Sequence, residues 1–509
     1  MRRQKILAIV CACLFIVMAV AYFAVIAPYI ERNTVSEDEE TAPELEEGES
    51  LGALNRIFMF DSIAADDISK ITVENEYGGF VFVKDSQGKL VIDGYENLPL
   101  DSEKVSLLKN VTGSTLSIKK VWSNCTDEKL SEYGLLEPKA SWVVEATDGR
   151  TFKAYVGDEL LTGGGYYCMV DGRRTVYVLS TDIASTIITP AEGYVTPIIC
   201  AGISQDDYYT VDKFTVYKDG EKMLRIKLVD KDKQLNPDAL AETIMDYPTS
   251  YYPNATLLYE IIYDYMGQTA DSCYSIDISD EERAEIGMDD PAHVITFEYN
   301  DYIYELYFSQ MNEDGTYYTE TNMYPGVIGV ASASELYYLE YTMIDWVDPY
   351  IFQQYITNLS DITVIGRDTE TKFELSHAQD AGGNTTVLYV KANGASLAED
   401  QVANFRQFYK GLLALRITDY YADDEYCTKT DEEMEALISD EANAYMVLKF
   451  TTLDGEENTL AFYRYSTGHS AVTVNGVGEF YLSTDLVDKV LNDLEKILAG
   501  EEVTANSKY

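Results

Sequence analysis

The stretch Glu132-Tyr-Gly-Leu-Leu-Glu-Pro-Lys-Ala140 (EYGLLEPKA) leads into alternating apolar and polar residues, and Glu285-Ile-Gly-Met-Asp-Asp-Pro-Ala-His293 (EIGMDDPAH) does the same further on. The spacing of roughly 150 residues is that of an internal repeat. Gly134 and Gly287 suit the left-handed residue that ends a helix. Pro138 and Pro291 keep the helix from restarting and steer the chain into a strand. Just upstream lies capping chemistry. Ser279-Asp-Glu-Glu282 pairs a hydroxyl cap with a Glu three residues on, as does Thr430-Asp-Glu-Glu433, and Thr126-Asp-Glu-Lys129 is the weaker counterpart.

Working outward, three copies are expected. Each opens on an Ile/Phe-Thr-Val strand: Ile71-Thr72-Val73, Phe214-Thr215-Val216 and Ile362-Thr363-Val364. A second strand and a helix follow, the helix starting near Asp101 and Ser102, at Asn236-Pro237, and over 398–415. In the third copy Val402, Phe405, Phe408, Leu412 and Leu415 recur at helical spacing. A short strand and the capped helix come next. Then three strands are expected around Asp148-Gly149, Asn300-Asp301 or Asp454-Gly455, and around Asp171-Gly172, Pro325-Gly326 or Asn475-Gly476, dipeptides suited to hairpin turns. Closing helices are expected over 181–188, 332–341 and 483–498. The fold class is therefore α+β, with antiparallel sheet in three units of about 140 residues, each β-β-α-β-α-β-β-β-α and each large enough for a core. The third copy lacks the Gly-x-x-Pro phrase and has ISDEANAYMVLKF instead.

The runs LSEYGLLEPKA (130–140), ATDGRTFKAYVGDE (146–159) and GYYCMVDGRRTVYVLS (165–180) give the chain a family resemblance. It resembles the bacterial domain-of-unknown-function family four-three-four-zero through a Tyr-Gly-Leu-x-x-Pro phrase, an Asp-Gly turn, a Val-Gly strand end and a Val-Asp-Gly hairpin. The first copy matches well, the second partly, the third by pattern. The resemblance implies an anchored envelope protein accessory to ABC-type exporters of the gliding-motility kind. It carries over no catalytic residue.

Arg2, Arg3 and Lys5 form a basic stub, 1–5, before an apolar run. That run is long enough, at about 1.5 Å per residue, to cross a hydrocarbon core of about 30 Å. A transmembrane helix is expected over 6–28, with the N-terminus cytoplasmic by the positive-inside rule. The run outlasts a signal peptide, and Cys11 and Cys13 within it make a poor lipidation site. Residues 29–56 read as an acidic extracytoplasmic tether. Their SEDEETAPELEEGES (36–50) is self-repelling and unsuited to packing. The expected domains are 57–200, 201–352 and 353–509.

Among 509 residues, 87 acids against 38 bases give a formal charge of -49, which excludes nucleic acid as a partner. The three histidines, His293, His377 and His469, are scattered rather than set at ligand spacing, and no zinc, P-loop or nucleophile-elbow motif is present. Cys125, Cys273 and Cys427 precede the capped helices as small apolar residues, while pairing of Cys168 with Cys200 stays open. Gly163 to Gly165 read as a hairpin loop rather than a phosphate cradle. No catalytic, metal or cofactor residue is expected. The candidate binding surface is tyrosine: Tyr208, Tyr209, Tyr251, Tyr252, Tyr420 and Tyr421, rigid apolar faces with polar tips suited to interfaces or sugars.

The functional expectation is a non-enzymatic, single-span membrane protein whose ectodomain binds or scaffolds, with the lipid bilayer and ABC-type transporter subunits as partners. The alternatives are a cell-envelope glycan hydrolase with paired carboxylates, which needs two acids across a cleft, and a small-ligand sensor ectodomain.

Overall fold

The computed structural model describes residues 44–200, 202–203, 210–228, 243–265, 267–379, 383 and 385–504. Its secondary structure is dominated by three large antiparallel sheets. The first orders its strands Leu90–Ile92, Gly78–Lys84, Ile68–Asn75, Ala140–Ala146, Thr151–Glu159, Gly165–Val170, Val176–Ser180, Lys119–Trp122. The second, from Asp212–Lys218 to Ile328–Ser332, and the third, from Leu359–Gly366 to Val477–Ser483, repeat that order, the third with one extra edge strand, Ala395–Ser396. The opening strand of each set sits in mid-sheet between its own hairpin partner and the first strand of the later run.

This corrects the expected β-β-α-β-α-β-β-β-α unit. Three strands, not two, precede the first helix: Leu90–Ile92, Thr243–Tyr247 and Thr385–Ala392 were missed. Four strands, not three, follow the capped helix, because the middle connection of each run is a longer loop such as 160–164 rather than a two-residue turn. The helix expected over 332–341 is also absent. Strand Ile328–Ser332 ends there, and only a 3-10 turn, Tyr337–Glu340, and the four-residue Met343–Trp346 follow. The helix start at Asn236-Pro237 lies outside the described residues; the helix described in that set is Ala255–Tyr265.

The quoted phrase is a helix stop. After Asp127–Glu132 and Asp280–Glu285, Gly134 and Gly287 take φ of +68° and +69°. Leu135 and Met288 then donate their amides back to the carbonyls of Leu130 and Arg283, at 2.9 Å each. Both side chains are buried, so the phrase ends the helix and plants the next apolar residue. The third set reaches the same end by other means. After Asp431–Ile438 the Asn443 amide donates to the carbonyls of Ala436 and Leu437, at 3.3 and 3.2 Å.

Strand alternation sorts the core. Met446, Leu448 and Phe450 join one apolar cluster with Phe405, Phe408 and Leu494, while Val447 joins a small one with Met434 of the capped helix. Helices Glu399–Leu413 and Thr484–Ala499 pack on each other in that larger core. Residues 44–96 with 100–190 form one compact unit, and 97–99 with 191–504 form another. Within the latter a single apolar cluster runs without a break from Ile199 through Phe214 and Trp346 to Val503, so the second and third sheets share a core.

Two further expectations change. The end of the acidic run is packed. Lys120 Nζ lies 2.7 Å from Glu49 Oε2, and the Tyr177 hydroxyl donates to the same carboxylate. Burial alone would raise Glu49, but the hydrogen bonds from Lys120 and Tyr177 outweigh it and hold the carboxyl below its usual range. Second, among the described residues no helix is long and apolar enough to cross a membrane. The single-pass, signal-anchor topology, the bilayer as partner and the cell-membrane location therefore have no support in the fold and are dropped. The span expected over 6–28, the stub 1–5 and residues 29–43 lie outside the described residues.

Candidate functional site

A cavity of about 490 Å³ opens where the second and third sheets meet inside their shared unit. That volume lies within the range of small-ligand sites. Five pieces of chain build it. The hairpin of Asp212–Lys218 and Glu221–Leu228 supplies Lys218, Lys222 and Met223. The segment after strand Thr243–Tyr247 brings Tyr247, Pro248 and Tyr251. Tyr341, Thr342 and Met343 come from the turn into Met343–Trp346, Tyr420 from the edge strand Asp419–Tyr420, and Val477, Gly478 and Glu479 from the last strand.

Local contacts hold these pieces. The Thr249 hydroxyl donates to the Val474 carbonyl at 2.8 Å, tying the tyrosine segment to the third sheet. Tyr251 and Tyr420 lean on Phe480, ring centroids 5.6 and 5.1 Å away. The Tyr420 hydroxyl accepts from the Ile344 amide at 2.9 Å. Gly478 is needed because a β-carbon there would meet the Val472 carbonyl oxygen at 2.1 Å.

The polar groups are unevenly satisfied. Tyr251 is only 4% exposed, yet among the described residues its hydroxyl has no hydrogen-bond partner. Burial raises its pKa, and the nearby Glu479 carboxylate adds to the shift. Desolvation pushes the Glu479 carboxyl up, although the residue as a whole is exposed. No described base forms an ion pair with it. Lys222 sits 5.1 Å over the Tyr247 ring, a cation–π distance, with no carboxylate partner among the described residues. Lys218 is 3.9 Å from Glu340. The cavity lining thus holds two lysines, one carboxyl residue and four tyrosines.

Of the six tyrosines singled out from sequence, Tyr251 and Tyr420 line this cavity, although 169 positions separate them in the numbering. Tyr252 is buried beside them in sequence but bonds elsewhere, its hydroxyl accepting from the Gln354 amide at 2.6 Å. Tyr421 packs under the capped helix with Met434 and Cys427. Tyr208 and Tyr209 lie outside the described residues. Sequence reasoning missed Tyr247, Tyr341, Lys222 and Glu479. The dipeptide Tyr247-Pro248 was the available signal, a ring beside a residue that cannot continue a ladder.

A second cluster escaped the sequence because its members are 45 residues apart. His469 Nδ1 is 2.7 Å from Asp424 Oδ2, and the Tyr465 hydroxyl donates to that same oxygen. The His469 ring lies tilted against Tyr481, centroids 4.7 Å apart, and meets Tyr426 edge-on at 5.3 Å. No described Ser, Thr or Cys side chain is hydrogen-bonded to the imidazole, so this is an oriented histidine without an attached nucleophile.

No disulfide joins Cys125, Cys168, Cys200, Cys273 and Cys427, so the pairing left open for Cys168 with Cys200 is not made. Burial raises the thiols of Cys200 and Cys273 to about 12, the opposite of a reactive cysteine. Among the described residues no group of His, Cys, Asp and Glu is placed to hold a metal ion. The cavity is lined by a single carboxyl residue, Glu479, rather than the two that a paired-carboxylate hydrolase needs.

The family model described as "Domain of unknown function (DUF4340)" matches residues 91–260 and 268–438, more than half of the chain. The chain belongs to this family. The matched stretches run from one sheet into the next rather than stopping at sheet boundaries. The match specifies no exporter, so the transporter-accessory role and the transporter subunits as partners are dropped. No curated protein matches the chain.

Proposed function

We propose that this member of the DUF4340 family is a non-enzymatic binding protein, built from modules 57–200, 201–352 and 353–509, whose ligand site is the tyrosine-lined cavity of the last two. The observation that carries the reading is Tyr251: a nearly buried residue that lines the cavity and whose hydroxyl has no hydrogen bond among the described residues. A hydroxyl at a cavity wall that no protein group bonds is open to a partner that a ligand supplies. The surrounding tyrosines offer large rigid faces with little side-chain entropy to lose. The exporter association implied by the sequence resemblance forms no part of this reading.

The test is protein-observed NMR with a fragment library, paired with thermal unfolding. Fragments should shift resonances of Tyr247, Tyr251 and Tyr420 and raise the midpoint with concentration. Both effects should vanish in Tyr247→Ala, whose ring is on the rim and exposed. A library that leaves those resonances still, or perturbs only remote surfaces, overturns the assignment.

A further inference from the structure

The polarity of the cavity narrows its ligand. Two half-buried lysines, Lys218 and Lys222, line it on the hairpin side. On a chain with 87 acids and 38 bases, a lysine side chain is rarely far from a carboxylate, yet Lys222 has none and rests on the Tyr247 ring instead. Such an ammonium is placed to meet an anion brought by something else. Elsewhere in the lining Tyr251 and Glu479 are electrostatic neighbours, and among the described residues neither has a hydrogen bond from its side chain. A hydroxyl group can serve both, donating to the carboxylate and either donating to or accepting from the phenol. Tyr247 stands with Lys222, whose ammonium lies over its ring, and Tyr420 stands by Phe480 near Tyr251 and Glu479, while Met223 and Met343 also line the cavity. An apolar ring face stacks on such surfaces while its edge carries polar groups.

An anion for the lysines, hydroxyls for Tyr251 and Glu479, and an apolar ring face for the tyrosines and methionines describe one chemical class. Resting on the reading above, we propose that the cavity binds an acidic sugar, a hexuronate free or at the end of a short oligosaccharide. Its carboxylate faces Lys222 and Lys218, and its hydroxyls face Tyr251 and Glu479. The overall charge of -49 does not forbid this. Charges more than about 8 Å away are largely screened at physiological salt, and within the lining Lys222 and Lys218, the latter 3.9 Å from Glu340, supply positive charge beside the one carboxyl of Glu479.

The experiment titrates the full chain, by calorimetry and NMR, with glucuronate, glucose and benzoate in parallel. Glucuronate should bind on the order of tenfold more tightly than glucose, since a charge-assisted contact is worth that much. Lys222→Met should erase the preference by weakening glucuronate and leaving glucose unchanged. Tyr251→Phe should weaken both sugars severalfold and leave benzoate alone. Equal affinity for glucose and glucuronate, or benzoate binding tighter than either sugar, overturns the proposal. If none of the three binds while the fragment library still shifts Tyr247, Tyr251 and Tyr420, the ligand class is wrong and the site stands. If neither binds, both fall.

Discussion

Gly134 and Gly287 hold the same place in the same phrase, with φ of +68° and +69°, but their surroundings differ. A β-carbon on Gly134 would lie 2.6 Å from Asp158 Cγ and 2.9 Å from the Asp158 amide, whereas nothing lies within 4 Å at Gly287. Gly287→Ala should therefore cost only the left-handed penalty, roughly 1–2 kcal/mol. Gly134→Ala should cost more, because the backbone of Asp158 must also give way; urea unfolding of the two variants measures the difference. Asp424 is the second residue-level test. Its side chain is 3% exposed and accepts from Tyr465 and His469. Asp424→Ala should destabilise by about 1–3 kcal/mol through the orphaned donors. Burial alone would raise Asp424, but the bonds from Tyr465 and His469 hold its carboxyl below the usual range. A lowered carboxylate contributes stability that is fully present above the unfolded value, near 4, and is lost as pH falls through the lower folded value. Acid titration of unfolding should show that loss in the native chain and not in Asp424→Asn. The pairing was illegible in the sequence, since nothing local to His469 names a residue 45 positions away. The glycine phrase was legible because a helix stop is local chemistry.

At the scale of elements, the capped helices show two solutions to one problem. Asp280–Glu285 and Asp431–Ile438 start with full capping boxes, whereas at Asp127–Glu132 only Thr126 Oγ1 accepts, from the Lys129 amide. At the other end Asn443 substitutes for the missing glycine. Asn443→Ala should cost about 1 kcal/mol, comparable with Thr430→Ala at the N-terminus. Equal stability of native chain and Asn443→Ala would remove the side-chain cap from the account. The strands absent from the expected pattern explain themselves in the same terms. Leu90–Ile92 is three residues, too short for alternation to show, and the loops 160–164 and 309–315 hold Gly163-Gly164 and Asp314-Gly315 inside connections of five and seven residues, longer than the two-residue turn those dipeptides signal. Strands flanked by Asp-Gly or Asn-Gly were readable because that turn demands positive φ from its own residues, as Asn475 at +54° and Gly476 at +83° display.

For the whole molecule the decisive feature is the continuous core of the second and third sheets. Phe214, Trp346, Phe352 and Phe450 belong to one cluster that has no break near residue 352. Two cooperative transitions are therefore expected by scanning calorimetry, one for the 44–190 unit and one for 191–504. A chain ending at 352 should lose the second sheet along with the third. Three transitions, or a well-folded truncated chain, would show that the shared core does not couple them.

The sequence by itself determined the helix caps, the tight hairpins, the α+β character and the absence of familiar catalytic motifs. Each of these is written in residues within a few positions of one another. It also picked out Tyr251 and Tyr420 as chemistry worth watching, from composition alone. Only the tertiary structure decided that these two share a cavity with Lys222 and Glu479, that Asp424 orients His469, and that two sheets share a core. The physical reason is common to all three. Those neighbours are brought together by strand order and by the burial of apolar faces, which depend on the chain as a whole and leave no local mark.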